Sequence, residues 1–384
     1  MSDMIPQFTG KVYNVGLLLC LLVIIYWRYF FMEKEELKYI QGQIGYKFKN
    51  ISLLHQAFKR RSYAKENGGQ DNEVLEFLGD KVLDFVVVKL LAEKYGKLCS
   101  EIPNKEFRYD EFVCEYNEDK LTKLKSKLVQ KKTLAERTDQ LGIAKFLVMG
   151  NSDTMLHMED EASVKEDLFE AILGAIAIDS EWNQEALQSA IEIMLNPELY
   201  LSKGEEKNYV SLVQEWCTKK YKEVPWYYYD KTDMESSWTS TFKGPQTHAK
   251  PGDCFYCILK LGEKMFKGYG KSKSDARKDV CELAYSIIKS NGEQLSIKDE
   301  IESPNELEAI NQLEILARRG YFSIPTYNFS EKMGASGNSV WLCICRIEEF
   351  KNVERVGVKS SKTNAKKEAA YQMLLYVLDN YKED

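Results

Sequence analysis

The sequence predicts a multidomain chain: an all-α body followed by two smaller α+β modules of α-β-β-β-α order, behind an apolar N-terminal stretch of bilayer length. Three observations carry that expectation. Apolar residues recur at helical spacing, with few breaks, from Met32 to about residue 200. Two later segments then repeat one order, a helical start, strand-like runs rich in Tyr, Trp, Phe and Cys, and a basic-led helix. The length, 384 residues at 44% hydrophobic content, suffices for two or three domains that each bury a core.

The run from Val12 to Met32, VYNVGLLLCLLVIIYWRYFFM, holds about twenty mostly apolar residues, interrupted by Asn14 and Arg28. Lys11 precedes it and Arg28, Lys34 and Lys38 lie at or beyond its end, so a single transmembrane helix over residues 12–32 would leave the bulk of the chain in the cytosol. No small-residue cleavage site follows, which disfavours a secretory signal peptide. A second reading stands beside the membrane anchor: Met32 opens MEKEELKYIQGQIGYKF, a serviceable start, which would make residues 1–31 an artefact of start-site choice. Nine cysteines are scattered, and the close pairs Cys254-x-x-Cys257 and Cys343-x-Cys345 have no matching Cys/His pair to complete a zinc site. They read as reduced core residues, which favours a cytoplasmic environment.

Net charge is −6, an average that hides a division: −8 over residues 33–200, +4 over 208–290 and 0 over 305–384. The expected helical body, residues 33–200, has breaks near Gly68-Gly69, Ile102-Pro103 and Gly150-Asn151 and an end at Asn196-Pro197. The modules are expected over residues 208–290 and 305–380. Their helices are placed at Tyr209 to Tyr221 and Ser272 to Lys289, then at Glu306 to Gly320 and Ser361 to Leu378. Leu201 to Lys207 and Ser290 to Asn305 read as linkers.

Within the body, NEVLEFLGDKVLDFVV (Asn72 to Val87) places four carboxylates in an apolar run. At about 100° per residue, Glu73, Glu76, Asp80 and Asp84 share one face, while Val74, Leu75, Leu78, Val82, Phe85 and Val86 are expected on a core stripe opposite. Phe77 falls beside the acids, an unfavourable place for an aromatic in water. In VKEDLFEAILGAIAID, Asp167 and Glu170 share a face with Ala171, Gly174 and Ala175, small residues that would let this helix approach another backbone closely. Clustered carboxylates raise one another's pKa, and a divalent cation removes that penalty. An oxygen-only donor set suits a hard ion, most naturally Mg²⁺, and such sites serve phosphodiester hydrolysis. A merely solvated acidic face is the competing reading.

At these residues the sequence resembles the ribonuclease III family, whose signature stretch is similar to NEVLEFLGDKVLDF. The likeness extends through Tyr46-Lys-Phe-Lys, Leu53-Leu-x-x-Ala57-Phe58, Arg61-Ser62-Tyr63-Ala64, Leu121 to Val129 and Asp167-Leu-Phe-Glu170-Ala, so it covers about residues 34–200. It implies an all-α endonuclease domain in which Glu76, Asp80, Asp167 and Glu170 bind catalytic Mg²⁺, Mn²⁺ being a substitute, with Glu73 an auxiliary acid. It also implies a homodimer that cuts both strands of double-stranded RNA, with Phe77 inserted into the partner. Asp84 matches no functional position and reads as a bystander. Three departures stand out: Lys59-Arg60-Arg61-Ser62 replaces the usual Thr-His-Arg-Ser, Val74 a usual Arg, and Lys81 a usual small residue. The segment Glu101 to Asp119 is longer than the compact pattern and reads as a lid, an RNA-contacting loop or decoration.

In the first module Lys271, Lys273, Arg277 and Lys278 crowd the start of the last helix, where backbone N–H groups also favour phosphate. With Gly244-Pro-Gln-Thr-His248, Gly268-x-Gly270 and Ser272-Lys273-x-x-Ala276-Arg277, this segment resembles the double-stranded RNA-binding domain. The resemblance implies A-form shape recognition, with Gln214 or Glu215 at one minor groove and the His248 loop at the other. The second module keeps Ser361-Lys362-x-x-Ala365-Lys366-Lys367, but Gly334-Ala-Ser-Gly-Asn stands where the histidine loop belongs. RNA binding through Lys362, Lys366 and Lys367 and a protein-contact role both stay open there.

Three functions follow. The favoured one is a Mg²⁺-dependent endoribonuclease that cleaves double-stranded RNA to 5′-phosphates and short 3′ overhangs, in RNA processing such as rRNA maturation or in degradation. Two modules after one nuclease domain are also similar to the compact Dicers of budding yeasts. The alternatives are a non-catalytic RNA-binding protein on the same scaffold and a membrane-tethered double-stranded RNA receptor.

Overall fold

The computed structural model describes residues 34–99, 111–201, 208–234, 242–293, 295–301, 303–333 and 339–381. The expected anchor over 12–32, the loop Gly334 to Asn338 and residues 100–110 lie outside them. No helix among the described residues is long and apolar enough to cross a membrane. The described residues divide into two compact units, one from residues 34–201 and 221–284, the other from 208–220 and 285–381.

The first unit opens with α1 (Lys34–Ile44), α2 (Ile51–Ala57) and α3 (Arg61–Asn67), then the long α4 (Glu73–Tyr95). A hairpin of β1 (Gly96–Cys99) and β2 (Glu111–Cys114) follows. Next come α5 (Glu118–Val129), α6 (Lys131–Leu141), α7 (Asn151–Met155), α8 (Ala162–Asp179), α9 (Gln184–Leu195) and α10 (Glu198–Leu201). The centre is the crossing of α4 with α8, and two glycines set its closeness. A Cβ on Gly79 would lie 1.7 Å from the Glu170 carbonyl oxygen, and one on Gly174 would lie 2.0 Å from that of Leu75. With the backbones this near, Leu75, Val82, Val86, Leu168, Phe169, Ile172 and Ile176 interlock in one buried core. At the far end of α8, buried Asp179 accepts from Tyr46 Oη at 2.9 Å, Lys49 N at 2.8 Å and Asn50 N at 2.7 Å, fixing the turn into α2.

Three expectations for this region change. The hairpin interrupts a stretch expected to be helical, because Gly96 leaves α4 with extended backbone and the two four-residue strands then pair. Val74 and Phe85, assigned to the core stripe, are exposed. The α4 core stripe is instead centred on Leu75, Gly79, Val82, Leu83, Val86 and Val87, leaving a separate apolar seam outside. Asp84 is not merely solvated, since it pairs with Lys125 at 2.9 Å.

The same unit carries the three-stranded antiparallel sheet of the first repeat, in order β3 (Trp226–Lys231), β4 (Phe255–Leu261), β5 (Lys264–Gly270). It is preceded in the chain by α11 (Tyr209–Tyr221) and followed by α12 (Lys273–Ser290), the expected order. Gly268 and Gly270 lie in β5, where a Cβ would stand 2.5 Å from Val280 N and 2.4 Å from Ala276 N, so the strand lies directly on the helix. Cys257 is buried as expected, whereas Cys254 is exposed at the strand entrance.

In the second unit, α13 (Ile297–Glu300) and α14 (Ala309–Arg318) precede the sheet β6 (Thr326–Met333), β7 (Ser339–Arg346), β8 (Arg355–Lys359) and the closing α15 (Lys362–Asn380). The expected linker Ser290 to Asn305 is a packed connector instead. Ser296 and Asp299 form a capping box at the start of α13, and Ile297 and Ile301 join the core. Gly357 repeats the device of the first sheet, since its Cβ would stand 2.1 Å from the Ala365 carbonyl oxygen.

Candidate active site

The α4–α8 crossing brings the predicted acids of two helices to one rim. Burial first, then the Asp167 and Glu73 carboxylates, push Glu76 up to about 7. Burial again leads for Glu170, and Asp80, Glu166, Glu76 and Asp167 add to it, raising it to about 8. Asp167 is raised mainly by burial, against the lowering influence of Arg60. These carboxylates feel one another because the glycines remove the distance that side chains between the helices would impose.

Cations already engage the rim. Lys81 donates to Asp80 at 2.7 Å. Arg60, the residue just before α3, lies 3.1 Å from Asp153 through Nε and 3.5 Å from Asp167 through Nη1. Ser62 donates to the same Asp153 oxygen at 2.6 Å, and Gly150 N donates to Ser62 Oγ, tying α3 to the start of α7. Glu73, at the first turn of α4, accepts from Arg61 at 2.9 Å. Among the described residues no three His, Cys, Asp or Glu side chains stand grouped tightly enough to hold a metal ion as they are placed. The donor chemistry nonetheless fits a hard divalent cation. Glu76, Asp80, Asp167 and Glu170 supply oxygen alone, and burial, with the charge of neighbouring carboxylates added to it, raises the pKa values of Glu76, Asp167 and Glu170, a penalty that a cation would reverse.

Beside the acids on α4 runs the seam that sequence periodicity assigned in part to the core. Val74, Phe77, Phe85 and Val88 are exposed along it, Phe77 at 65%. So Phe77 does stand off the core.

The predicted RNA contacts divide. His248 and Lys271 are exposed. Lys273, Arg277 and Lys278 instead meet acceptors of the helical body, and Arg277 is 3% exposed. Glu215 on α11 is held by Arg319 and lies 3.6 Å from Lys219, and Gln214 is half-buried. In the second repeat Lys362 lies over the rings of Phe329 and Trp341 at 4.6 and 5.5 Å, and Lys366 over Tyr327 at 4.4 Å. Lys367 is half-buried on α15.

Sequence reasoning gave no role to Arg60, Asp153, Glu166 or Gly79. Arg60 carried a signal, because it departs from the family's usual histidine. Gly79 carried one too, since a glycine inside a 23-residue helix needs a packing reason. Asp153 had none, as its pairing spans 93 residues.

Residues 50–199 match the Ribonuclease-III-like family. A Ribonuclease 3 of Roseburia hominis is 49% identical over 362 residues, spanning 91% of this chain and 99% of its own length. One of Treponema succinifaciens is 33% identical over 362 residues, spanning 90% of this chain and 92% of its own. Among solved structures, the nuclease domain of ribonuclease III from Campylobacter jejuni is 27% identical at a TM-score of 0.34, covering 43% of this chain and 98% of that one.

Proposed function

This chain belongs to the ribonuclease III family, and from that premise we propose that it hydrolyses the phosphodiester bonds of double-stranded RNA with Mg²⁺, leaving 5′-phosphates and short 3′ overhangs. The observation that carries the reading is the acid rim at the glycine crossing, where Glu76 and Glu170 have pKa values raised to about 7 and about 8. Glu76, Asp80, Asp167 and Glu170 would hold the ion, with Mn²⁺ able to replace Mg²⁺. A bound hard cation orients and ionises a water and stabilises charge on the leaving oxygen.

The chain's own residues prepare that site. Arg60 keeps Asp167 oriented between α3 and α8 and offsets part of the rim's charge. Asp80 must turn from Lys81 to join the others, a small change for a half-buried side chain near the surface. Glu73, held by Arg61 at the first turn of α4, would serve as the auxiliary acid near the ion or the RNA. The seam of Val74, Phe77, Phe85 and Val88 supports a homodimer in which two rims each address one strand. Residues 33–200 would form the endonuclease domain, 208–290 and 305–380 the two RNA-binding modules. In the second of these, Lys362 and Lys366 laid over aromatic rings leave a protein-contact role standing beside RNA binding.

A second reading, a duplex binder without catalysis, draws on one observation: Asp80 and Asp167 are engaged by Lys81 and Arg60. Duplex RNA incubated with Mg²⁺, with Ca²⁺, and with the Glu170→Gln variant separates the two. The enzyme reading expects cleavage with Mg²⁺ and wild-type side chains alone. Binding without cleavage in every condition would establish the second.

A further inference from the structure

The basic start of α12 is where the first repeat should meet phosphate, yet its side chains are already occupied within the first unit. Lys273 donates through Nζ to the Gly45 carbonyl oxygen at 2.7 Å. Arg277 donates through Nη1 to the Ile193 carbonyl oxygen at 3.0 Å, with its guanidinium 6.0 Å from the centroid of the Tyr227 ring. Lys278 pairs with Glu198 at 2.7 Å. Gly45 follows α1, Ile193 lies in the last turn of α9 and Glu198 opens α10, so all three acceptors belong to the helical body.

The seat is shaped to receive this repeat. A Cβ on Gly42 would stand 2.0 Å from the Tyr227 carbonyl oxygen, so β3 presses on α1 at a point where no side chain fits. Next to it, Gln43 is 2% exposed and donates its amide to the Pro225 carbonyl oxygen at 2.5 Å. Burial lowers the Lys273 pKa, as expected of an ammonium held away from water. A buried guanidinium bonded to a main-chain oxygen cannot also grip a phosphate.

We propose that the basic start of α12 is an intramolecular interface that seats the first repeat on the nuclease body, so that duplex RNA gains Lys273, Arg277 and Lys278 only when the repeat lifts off. The proposal rests on the RNA-binding reading of that repeat. His248 and Lys271 stay exposed in the seated state and offer RNA a first contact. Seating lowers the apparent RNA affinity by the fraction of molecules that are open, so loosening the seat strengthens binding with no new contact.

Two readouts on the full chain test this. The first needs no RNA: a zero-length carbodiimide crosslink between Lys278 and Glu198, mapped by mass spectrometry. It should form in the wild type, and be lost in Gly42→Ala and under saturating duplex RNA. The second is the Kd for a duplex RNA in Ca²⁺. Gly42→Ala should bind about tenfold more tightly than wild type, and Glu198→Gln, a surface change that leaves the fold intact, should shift in the same direction by less. Absence of the crosslink in the wild type overturns the seat. A crosslink that survives saturating RNA, or an affinity unchanged or weakened in both variants, overturns the gating. Failure of every form to bind duplex RNA, with the crosslink present, rejects the RNA reading of the repeat and the gating with it.

Discussion

Glu170 illustrates how a single side chain senses its neighbours. Its folded-state pKa of about 8 lies above the ordinary glutamate value of 4.5, so the protonated form is favoured by folding. Stability from this group is therefore fully present below pH 4.5 and is lost as pH rises through about 8; Glu76, at about 7, acts the same way over a slightly lower window. The metal-free protein should melt several degrees lower at pH 9 than at pH 6. Mg²⁺ at pH 8 should restore the difference, and Glu170→Gln should flatten the dependence. Calorimetric melting temperatures that rise with pH in the absence of metal would contradict the burial and crowding of the rim acids. The acids themselves were legible in the sequence, because i, i+3 and i, i+4 spacing beside a strong apolar stripe is local information. Arg60 stood out only as a departure from a usual histidine, and its links to Asp167 and Asp153 span 107 and 93 residues, which periodicity does not connect.

At the scale of elements, the reciprocal glycines decide the site. Gly79 and Gly174 let α4 and α8 touch backbone to backbone, and that contact places Glu76 and Glu170 on one rim. Gly79→Ala puts a Cβ 1.7 Å from the Glu170 carbonyl oxygen and 2.9 Å from Gly174 N, neither of which is a flexible side-chain end. Denaturant unfolding should record a loss of about 2 kcal/mol or more. A loss within about 0.5 kcal/mol, the range of an ordinary surface substitution, would mean that the helices are not held this closely. Sequence periodicity foresaw the small-residue face of α8 but misjudged α4. A wheel separates Phe77 from the core but does not mark where the buried arc ends, so Val74 and Phe85, at the edge of the apolar arc, merge with the stripe that packs inward. The β1–β2 hairpin escaped for a different reason. Strands of four residues joined across a long connection carry too little pattern to stand out against helical flanks.

For the whole molecule, the exposed seam on α4 matters most. Apolar side chains left in a row on a helix that is otherwise well packed favour a second copy as their cover. Phe77→Lys should weaken self-association at least about thirtyfold, the loss expected of an aromatic interface anchor. Sedimentation velocity across a concentration series would read it, and an unchanged dimer would assign the seam to some other contact. The repeated α-β-β-β-α order was legible from composition and spacing alone, as was the start of α11 at Tyr209. The burial of Arg277 was not, because Ile193, its acceptor, lies 84 residues away and offers only a backbone oxygen that any sequence would supply.

The central claim is that oxygen atoms from α4 and α8 converge on one hard cation. Anomalous diffraction from crystals soaked in Mn²⁺ tests it most directly. The account predicts a peak at the glycine crossing, about 2 Å from carboxylate oxygens of Glu76, Asp167 and Glu170, with Asp80 turned away from Lys81. Crystals that bind Mn²⁺ elsewhere and leave this rim empty, with Asp80 still on Lys81, would contradict it.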